Sequence, residues 1–172
     1  MQPALSFGRR SAAPVATALC AIAVGVAVYA FLRPQPAAFL PAGWHRPLSH
    51  GLPAAVTAGL PTFVHALVMS LLTAALIGSR RANVLGATCA AWCVVEVVFE
   101  FAQHPAFGPS LVASLHWVFA GAGTFIAFEN FVRAGTFDVL DIAASVFASS
   151  LAYAILTRRS GVRDGSTEVN HA

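Results

Sequence analysis

Three polar side chains lie one helical turn apart in the apolar stretch 92–103, Trp-Cys-Val-Val-Glu-Val-Val-Phe-Glu-Phe-Ala-Gln. Glu96, Glu100 and Gln103 are separated by four and three residues, so a helix places them on one face. A charged side chain inside a bilayer costs roughly 2.5 to 3.5 kcal/mol on insertion scales and is rarely left without a partner or a role. This face is therefore the first candidate for a functional site.

The composition predicts the class of protein that must position these groups. Of 172 residues, 58% are hydrophobic and 10% are charged, and the mean hydropathy is +0.73. Soluble globular domains carry roughly 25% charged residues, so this chain is predicted to be an integral membrane protein. Because a helix needs about 20 residues to cross the bilayer, the length allows four or five spans in one bundle without a second domain.

Four spans follow from the apolar runs and the residues that interrupt them. Arg33 and Pro34 end the first run, Pro61 suits the first turn of the second, and His104-Pro105 ends the third. We predict a polytopic all-α protein with one transmembrane domain, 12–157, between a cytoplasmic lead, 1–11, and a disordered cytoplasmic tail, 158–172. The predicted spans are 12–32, 56–78, 83–103 and 137–157.

The apolar segment 110–131 is long enough to be a fifth span, but the arginines argue against that. With four spans, one side of the membrane holds most of them, as the positive-inside rule expects. These are Arg9, Arg10, Arg80, Arg81, Arg158, Arg159 and Arg163, which leaves Arg33, Arg46 and Arg133 on the other side. We therefore predict an inner-membrane protein with both termini cytoplasmic, in which 110–131 is an outer re-entrant or interfacial segment.

Nucleic-acid binding and a disulfide framework are not expected. The ten basic residues, all arginine, give a net charge of +3 but form no basic face with interleaved aromatic residues. Cys20, Cys89 and Cys93 all fall within apolar runs. We expect the pair Cys89 and Cys93 to pack against a neighbouring helix rather than bind a metal.

The four-span topology brings polar residues of three helices to one depth on the outer side. His65 falls in the outer turns of the second span, Glu100 near the outer end of the third, and Asp138 with Asp141 in the first turn of the fourth. Arg133 precedes the fourth span and is a possible counter-charge. The candidate polar site is His65, Glu96, Glu100, Gln103, Arg133, Asp138 and Asp141.

Three of these residues also have a structural alternative. Asp138 can be the N-terminal cap of the last helix, where a carboxylate accepts from free backbone amides. His65 can be a hydrogen-bonded histidine of the bundle, and Glu96 a protonated structural carboxyl group. Four carboxylates and one histidine at a single depth are nevertheless difficult to explain by packing alone.

Several of these residues resemble the motifs of VanZ-like membrane proteins. Glu100-Phe-Ala-Gln103, Arg133 and Asp138-Val-Leu-Asp141 are similar to that family's Glu-x-x-Gln, Arg and Asp-x-x-Asn elements, with Asp141 in place of Asn. Pro61-Thr-Phe-Val-His65 is similar to the Pro-x-Phe-x-His motif of related small bacterial membrane proteins. The resemblance covers residues 55–157 and implies an envelope-facing membrane protein.

Two classes of function are compatible with these residues. In one, the outward-facing pocket has a binding or structural role in the lipid bilayer. In the other, it is a metal-dependent enzyme site that acts on an envelope lipid or a cell-wall precursor. Carboxylates and an imidazole can hold a divalent metal ion such as Mg²⁺, Mn²⁺ or Zn²⁺, and the candidate ligands are His65, Glu100, Asp138 and Asp141.

Overall fold

Helices account for all the regular structure of the described residues, which are 12–32, 40–41, 43–46, 54–119 and 123–160 of a computed structural model. Their order is α1 (Ala12–Phe31), α2 (Ala54–Ile77), α3 (Ala82–Ala102), α4 (Gly108–Phe119), α5 (Gly123–Ala134) and α6 (Val139–Ser160). The predicted all-α fold is confirmed. The predicted lead 1–11 and the tail beyond residue 160 lie outside the described residues.

Four of the helices, α1, α2, α3 and α6, are long and apolar enough to span a membrane. They contain 20, 24, 21 and 22 residues, respectively. A rise of about 1.5 Å per residue gives each a length of roughly 30 Å or more. The four predicted spans therefore correspond to four helices of the required length.

The ends of these helices differ from the predicted ends for identifiable reasons. Of the two starts that the sequence allows for the second span, Ala54 and Pro61, the structure has Ala54, so Pro61 lies inside α2 rather than in its first turn. Proline lacks an amide hydrogen, so the carbonyl of residue 57 loses its helical donor there. At the other end of the chain, α6 continues to Ser160, three residues beyond the predicted boundary at 157.

Helix α2 occupies the centre of the bundle, where it packs mainly against α6 and α1 and to a lesser extent against α3. Its face towards the core carries Ala66, Ser70 and Ala74, and the core face of α6 carries Ala148 and Ala152. Small side chains allow two helix backbones to approach closely, which is the usual basis of helix association in membranes.

Two side-chain contacts define the directions of the helices. His65 of α2 pairs with Glu96 of α3, and Thr62 of α2 donates a hydrogen bond to Asp141 of α6. The start of α2, the end of α3 and the start of α6 therefore lie at one end of the bundle, which we call the site end. It follows that α2 and α6 run in the same direction, antiparallel to α3.

The segment between α3 and α6 returns to the site end, as shown by the hydrogen bond from the Asp138 amide to Glu100. It contains α4 and α5, which have 12 residues each and pack against each other around Val112 and Phe125. Twelve residues span about 18 Å, less than the roughly 30 Å of a bilayer core. This agrees with the prediction that 110–131 is not a fifth span.

The described arginines divide between the two ends of the bundle. Arg80 and Arg81 join α2 to α3 at the end opposite the site, and Arg158 lies in the last turns of α6 at the same end. Arg46 and Arg133 lie in segments at the site end. This division is the one that the four-span prediction requires.

Candidate functional site

A cavity of about 830 Å³ lies at the site end of the bundle, between α1, α2, α3 and the start of α6. Small-molecule sites in proteins usually have volumes of roughly 300 to 1,000 Å³, so the cavity can hold a compact ligand. Its polar lining comprises Tyr29, Thr62, His65, Glu96, Glu100, Gln103, Thr136, Asp138 and Asp141.

The cavity brings together six of the seven residues that the sequence singled out. His65, the three polar residues of α3 and the two aspartates before and within α6 all line it. Arg133 does not. The grouping follows from the antiparallel course of α3 between α2 and α6, which places the polar ends of all three helices at the same level.

His65 and Glu96 form a pair across the α2–α3 interface, through Nδ1 of the imidazole and Oε1 of the carboxylate. The Glu96 side chain is only 11% exposed, whereas that of His65 is 56% exposed. The ring of Trp92 stands edge-on to the imidazole, with centroids 6.2 Å apart. The pair thus holds a buried carboxylate beside a half-exposed imidazole at the cavity wall.

Glu100 and Asp138 connect the end of α3 to the start of α6. The backbone amide of Asp138 donates to Glu100 Oε2 at 3.2 Å, and Asp138 Oδ1 accepts from the Leu140 amide at 2.8 Å. Asp138 therefore caps α6, which is the structural alternative considered for it, while it also lines the cavity. The carboxylate is further favoured by the positive end of the helix dipole.

Asp141 lies one turn further into α6 and faces α2. Its Oδ1 accepts a hydrogen bond from Thr62 Oγ1 at 3.1 Å. A side chain at position 59 would also approach this oxygen, since a Cβ built on Gly59 would lie 3.6 Å from it. That separation is an ordinary van der Waals distance, so Gly59 packs against the Asp141 carboxylate without being required for its position.

Gln103 is the C-terminal cap residue of α3 and packs against Gly135 in the segment before α6. A Cβ built on Gly135 would lie 1.9 Å from Gln103 Oε1, far inside van der Waals contact. Glycine at position 135 is therefore required for the observed position of the Gln103 amide at the cavity.

The remaining wall of the cavity is apolar. It is formed by side chains from α1, α2, α3 and α5, namely Ile22, Pro61, Val64, Val68, Phe99 and Phe128. An apolar wall opposite a few convergent polar groups is typical of a binding site for a small organic molecule.

Arg133 is engaged outside the cavity. Its Nε and Nη2 both lie 2.8 Å from Oε1 of Glu129, one turn earlier on α5, and its side chain is 69% exposed. In this structure Arg133 therefore pairs with Glu129 rather than with a carboxylate of the cavity. Glu129 was not considered in the sequence analysis, although its i,i+4 spacing from Arg133 is a signal of such a pair.

Two other residues that line the cavity were not predicted from the sequence. Thr62 lies three residues before His65, so helical spacing places both on nearly the same face of α2. Tyr29 lies in the last turns of α1, a helix for which no polar role had been predicted. Thr62 could have been found from its spacing, whereas the place of Tyr29 at the cavity depends on how α1 packs.

The predicted metal ligands do not converge in this conformation. Among the described residues, no three or more histidine, cysteine, aspartate or glutamate side chains are grouped so that they could hold a metal ion. Cys20, Cys89 and Cys93 are all free, and Cys89 is part of the buried core, as expected for a packing role.

No protein-family model, no curated protein and no solved structure matches this chain. The resemblance to VanZ-like proteins therefore stays a prediction that depends on the short motifs alone.

Proposed function

We propose that this chain is a multi-pass protein of the bacterial cell envelope whose cavity binds a small ligand without chemical conversion. In this proposal the protein is VanZ-like, it lies in the inner membrane with both termini cytoplasmic, and its cavity opens to the outer face. The observation that carries the proposal is that six polar side chains on α2, α3 and α6 line one cavity.

A ligand site accounts for these residues better than a structural network does. Ion pairs that hold a bundle together combine acids with bases, because an unpaired charge in low dielectric is strongly unfavourable. Among the described residues of the cavity wall, four carboxylates accompany one imidazole and no arginine or lysine. Acids buried within a bundle of apolar helices, as Glu96 and Glu100 are, are typical of functional sites, which are often held at some expense of stability.

The orientation of the proposed protein is supported by the division of the arginines. Arg80, Arg81 and Arg158 lie at the end opposite the cavity, and the positive-inside rule assigns the arginine-rich side to the cytoplasm. The metal-dependent enzyme considered above has no observation of its own in its favour, so we propose binding alone.

Native mass spectrometry of the protein, purified in a mild detergent, tests the proposal. We expect a non-protein mass to remain bound to the wild-type chain and to be lost from Glu100→Gln. Arg133→Gln is the matched control, because it also replaces a charged group with an amide at the site end, but outside the cavity lining. A bound mass retained equally by both variants, or found with none of the three proteins, would contradict a ligand site at this cavity.

A folding defect must be distinguished from a loss of binding. Far-UV circular dichroism and detergent melting of the same samples serve this purpose. We expect Glu100→Gln to accumulate in the membrane and to melt at or above the temperature of the wild type, because it removes a buried charge. If Glu100→Gln fails to accumulate, the residue is part of the scaffold and the proposed role is wrong.

A further inference from the structure

We infer, on the basis of the proposed binding function, that the cavity opens sideways between α1 and α3 and that its ligand is an acyl-chain lipid of the surrounding bilayer. The head group of the lipid lies among the polar side chains at the site end. Its chain lies along the apolar wall of the cavity and leaves between the two helices.

Helices α1 and α3 form two sides of the cavity but do not pack along each other. Within the described part of the chain, α1 packs mainly on α2, whereas α3 packs mainly on α6 and α2. Ile22 of α1 and Phe99 of α3 both line the cavity, and each is 39% exposed. Exposed lining residues on two helices that do not pack together mark a lateral opening between those helices.

The lining of the cavity changes from polar at the site end to apolar further in. Gln103, Thr136 and Asp138, at the ends of α3 and α6, are its outermost residues. Ile22 and Val68, which lie furthest from the site end on α1 and α2, are aliphatic. A lipid of the adjoining leaflet has the same order, with its polar head group outside and its hydrocarbon towards the bilayer centre. The cavity therefore matches such a lipid in the orientation that the membrane imposes.

The apolar part of the cavity reaches the middle of the long helices. Gly25 of α1 packs on Val64 of α2, since a Cβ built on Gly25 would lie 3.0 Å from Val64 Cγ1. Ile22 lies about one turn beyond this contact and near the midpoint of α1, and Val68 lies just past the midpoint of α2. Water in an apolar cavity lacks hydrogen-bond partners, so this part is suited to hydrocarbon.

His65 and Glu96 lie at the boundary between the polar and apolar parts. They pair with each other across the α2–α3 interface, so the chain of the ligand passes two polar groups that are already partnered. Val68 lies three residues, or about 4.5 Å, further from the site end than His65. The lining beyond this pair is apolar on both α1 and α2.

Native mass spectrometry of protein transferred from nanodiscs of dioleoyl phosphatidylglycerol into detergent tests the ligand class. We expect the wild type to keep a lipid molecule after collisional activation that removes loosely attached lipids. In Ile22→Trp the occupancy should fall at least about tenfold, because the larger side chain overfills the opening through which the acyl chain leaves.

Two matched controls separate the opening from the outer surface of the bundle. Leu19 lies one turn from Ile22 on α1, is 59% exposed and is not part of the cavity lining, so Leu19→Trp should keep the lipid. On α3, Phe99→Trp should lose the lipid, whereas Val98→Trp should keep it, since Val98 is 57% exposed and also outside the lining. Because Phe99→Trp replaces one aromatic side chain with another, it tests the opening even if Ile22→Trp fails to fold.

Equal occupancy in the lining and control variants would place the lipid on the outer surface and overturn the inference. A wild-type chain that keeps no lipid would overturn it as well. The mass retained by protein purified directly from cells separates the ligand class from the proposed function. If that mass is lost from Glu100→Gln but yields no acyl chain on fragmentation, the proposed function stands and only the ligand class is wrong.

A second copy of the chain is the competing occupant of the opening. In that case the same spectra would show a dimer that Ile22→Trp, but not Leu19→Trp, converts to a monomer, and the inference would fail. A monomeric wild type, or a dimer that both variants preserve, leaves the opening to the lipid.

Discussion

Gln103 packs so closely on Gly135 at the cavity rim that a Cβ at position 135 would lie 1.9 Å from Gln103 Oε1. We expect Gly135→Ala to displace the Gln103 amide and to reduce the free energy of unfolding by about 1 kcal/mol, the lower end of the cost of overpacking, because the atoms in the way belong to one flexible side chain. Urea or thermal unfolding in detergent measures this change.

A second substitution shows whether the cost arises from this contact. In a Gln103→Ala background, Gly135→Ala should cost less than about 0.5 kcal/mol, because the side chain that it would strike is gone. An equal cost in both backgrounds would place the requirement for glycine in the backbone and not in the Gln103 contact.

Asp141 contributes one oxygen to Thr62, and an amide can supply the same acceptor. We therefore expect Asp141→Asn to keep the free energy of unfolding within about 0.5 kcal/mol of the wild type or to raise it, since it also removes a charge from an acid-rich cluster. Asp141→Ala should cost about 1 to 3 kcal/mol, because it leaves the Thr62 hydroxyl without its acceptor. Equal melting of the Asn and Ala variants would argue against a role for this hydrogen bond.

At the scale of helices, α2 and α6 run in the same direction with a register set by Thr62 and Asp141. Eight residues further along each helix, about 12 Å deeper, the register places Ser70 level with Ser149. Both hydroxyl groups are buried and have no hydrogen-bond partner in the described structure. By contrast, Ser145, between them and the cavity, donates to the Asp141 carbonyl at 2.9 Å.

This contrast predicts opposite effects for similar substitutions. Ser70→Ala should be neutral or stabilising by up to about 1 kcal/mol, because it removes a buried polar group that has no partner. Ser145→Ala should cost about 0.5 to 1.5 kcal/mol, because it removes an existing hydrogen bond. Melting of the two variants in the same detergent compares them directly. A loss of more than about 1 kcal/mol in Ser70→Ala would show that an ordered water satisfies the hydroxyl.

At the scale of the whole molecule, the four long helices of the described residues place the start of α1 and the end of α6 at the end opposite the cavity. In a background without native cysteines, we expect a cysteine at position 165 to be protected from an impermeant thiol reagent in intact cells. A cysteine replacing Trp44, which is exposed in the segment after α1, should react. The reverse pattern would show that the cavity faces the cytoplasm, and labelling of both positions would contradict four spans.

The sequence by itself determined the helical class, the number of long helices and the depth of the polar residues. Apolar runs of about 20 residues can satisfy their backbone groups in a bilayer only as helices, so their number and order follow from composition. Depth follows as well, because the rise per residue is constant and the helices alternate in direction. For this reason His65, Glu100 and Asp141 could be assigned to one level before any contact was known.

Only the tertiary structure decided which of these residues meet and what else joins them. The position of Arg133 outside the cavity lining, the bond from Thr62 to Asp141 and the packing of Gln103 on Gly135 depend on the directions in which helices and side chains face one another. Helix rotation, tilt and side-chain rotamers set those directions, and close packing of the whole bundle determines all three together. A one-dimensional pattern fixes position along a helix axis, but it does not fix the azimuth at which neighbouring helices meet.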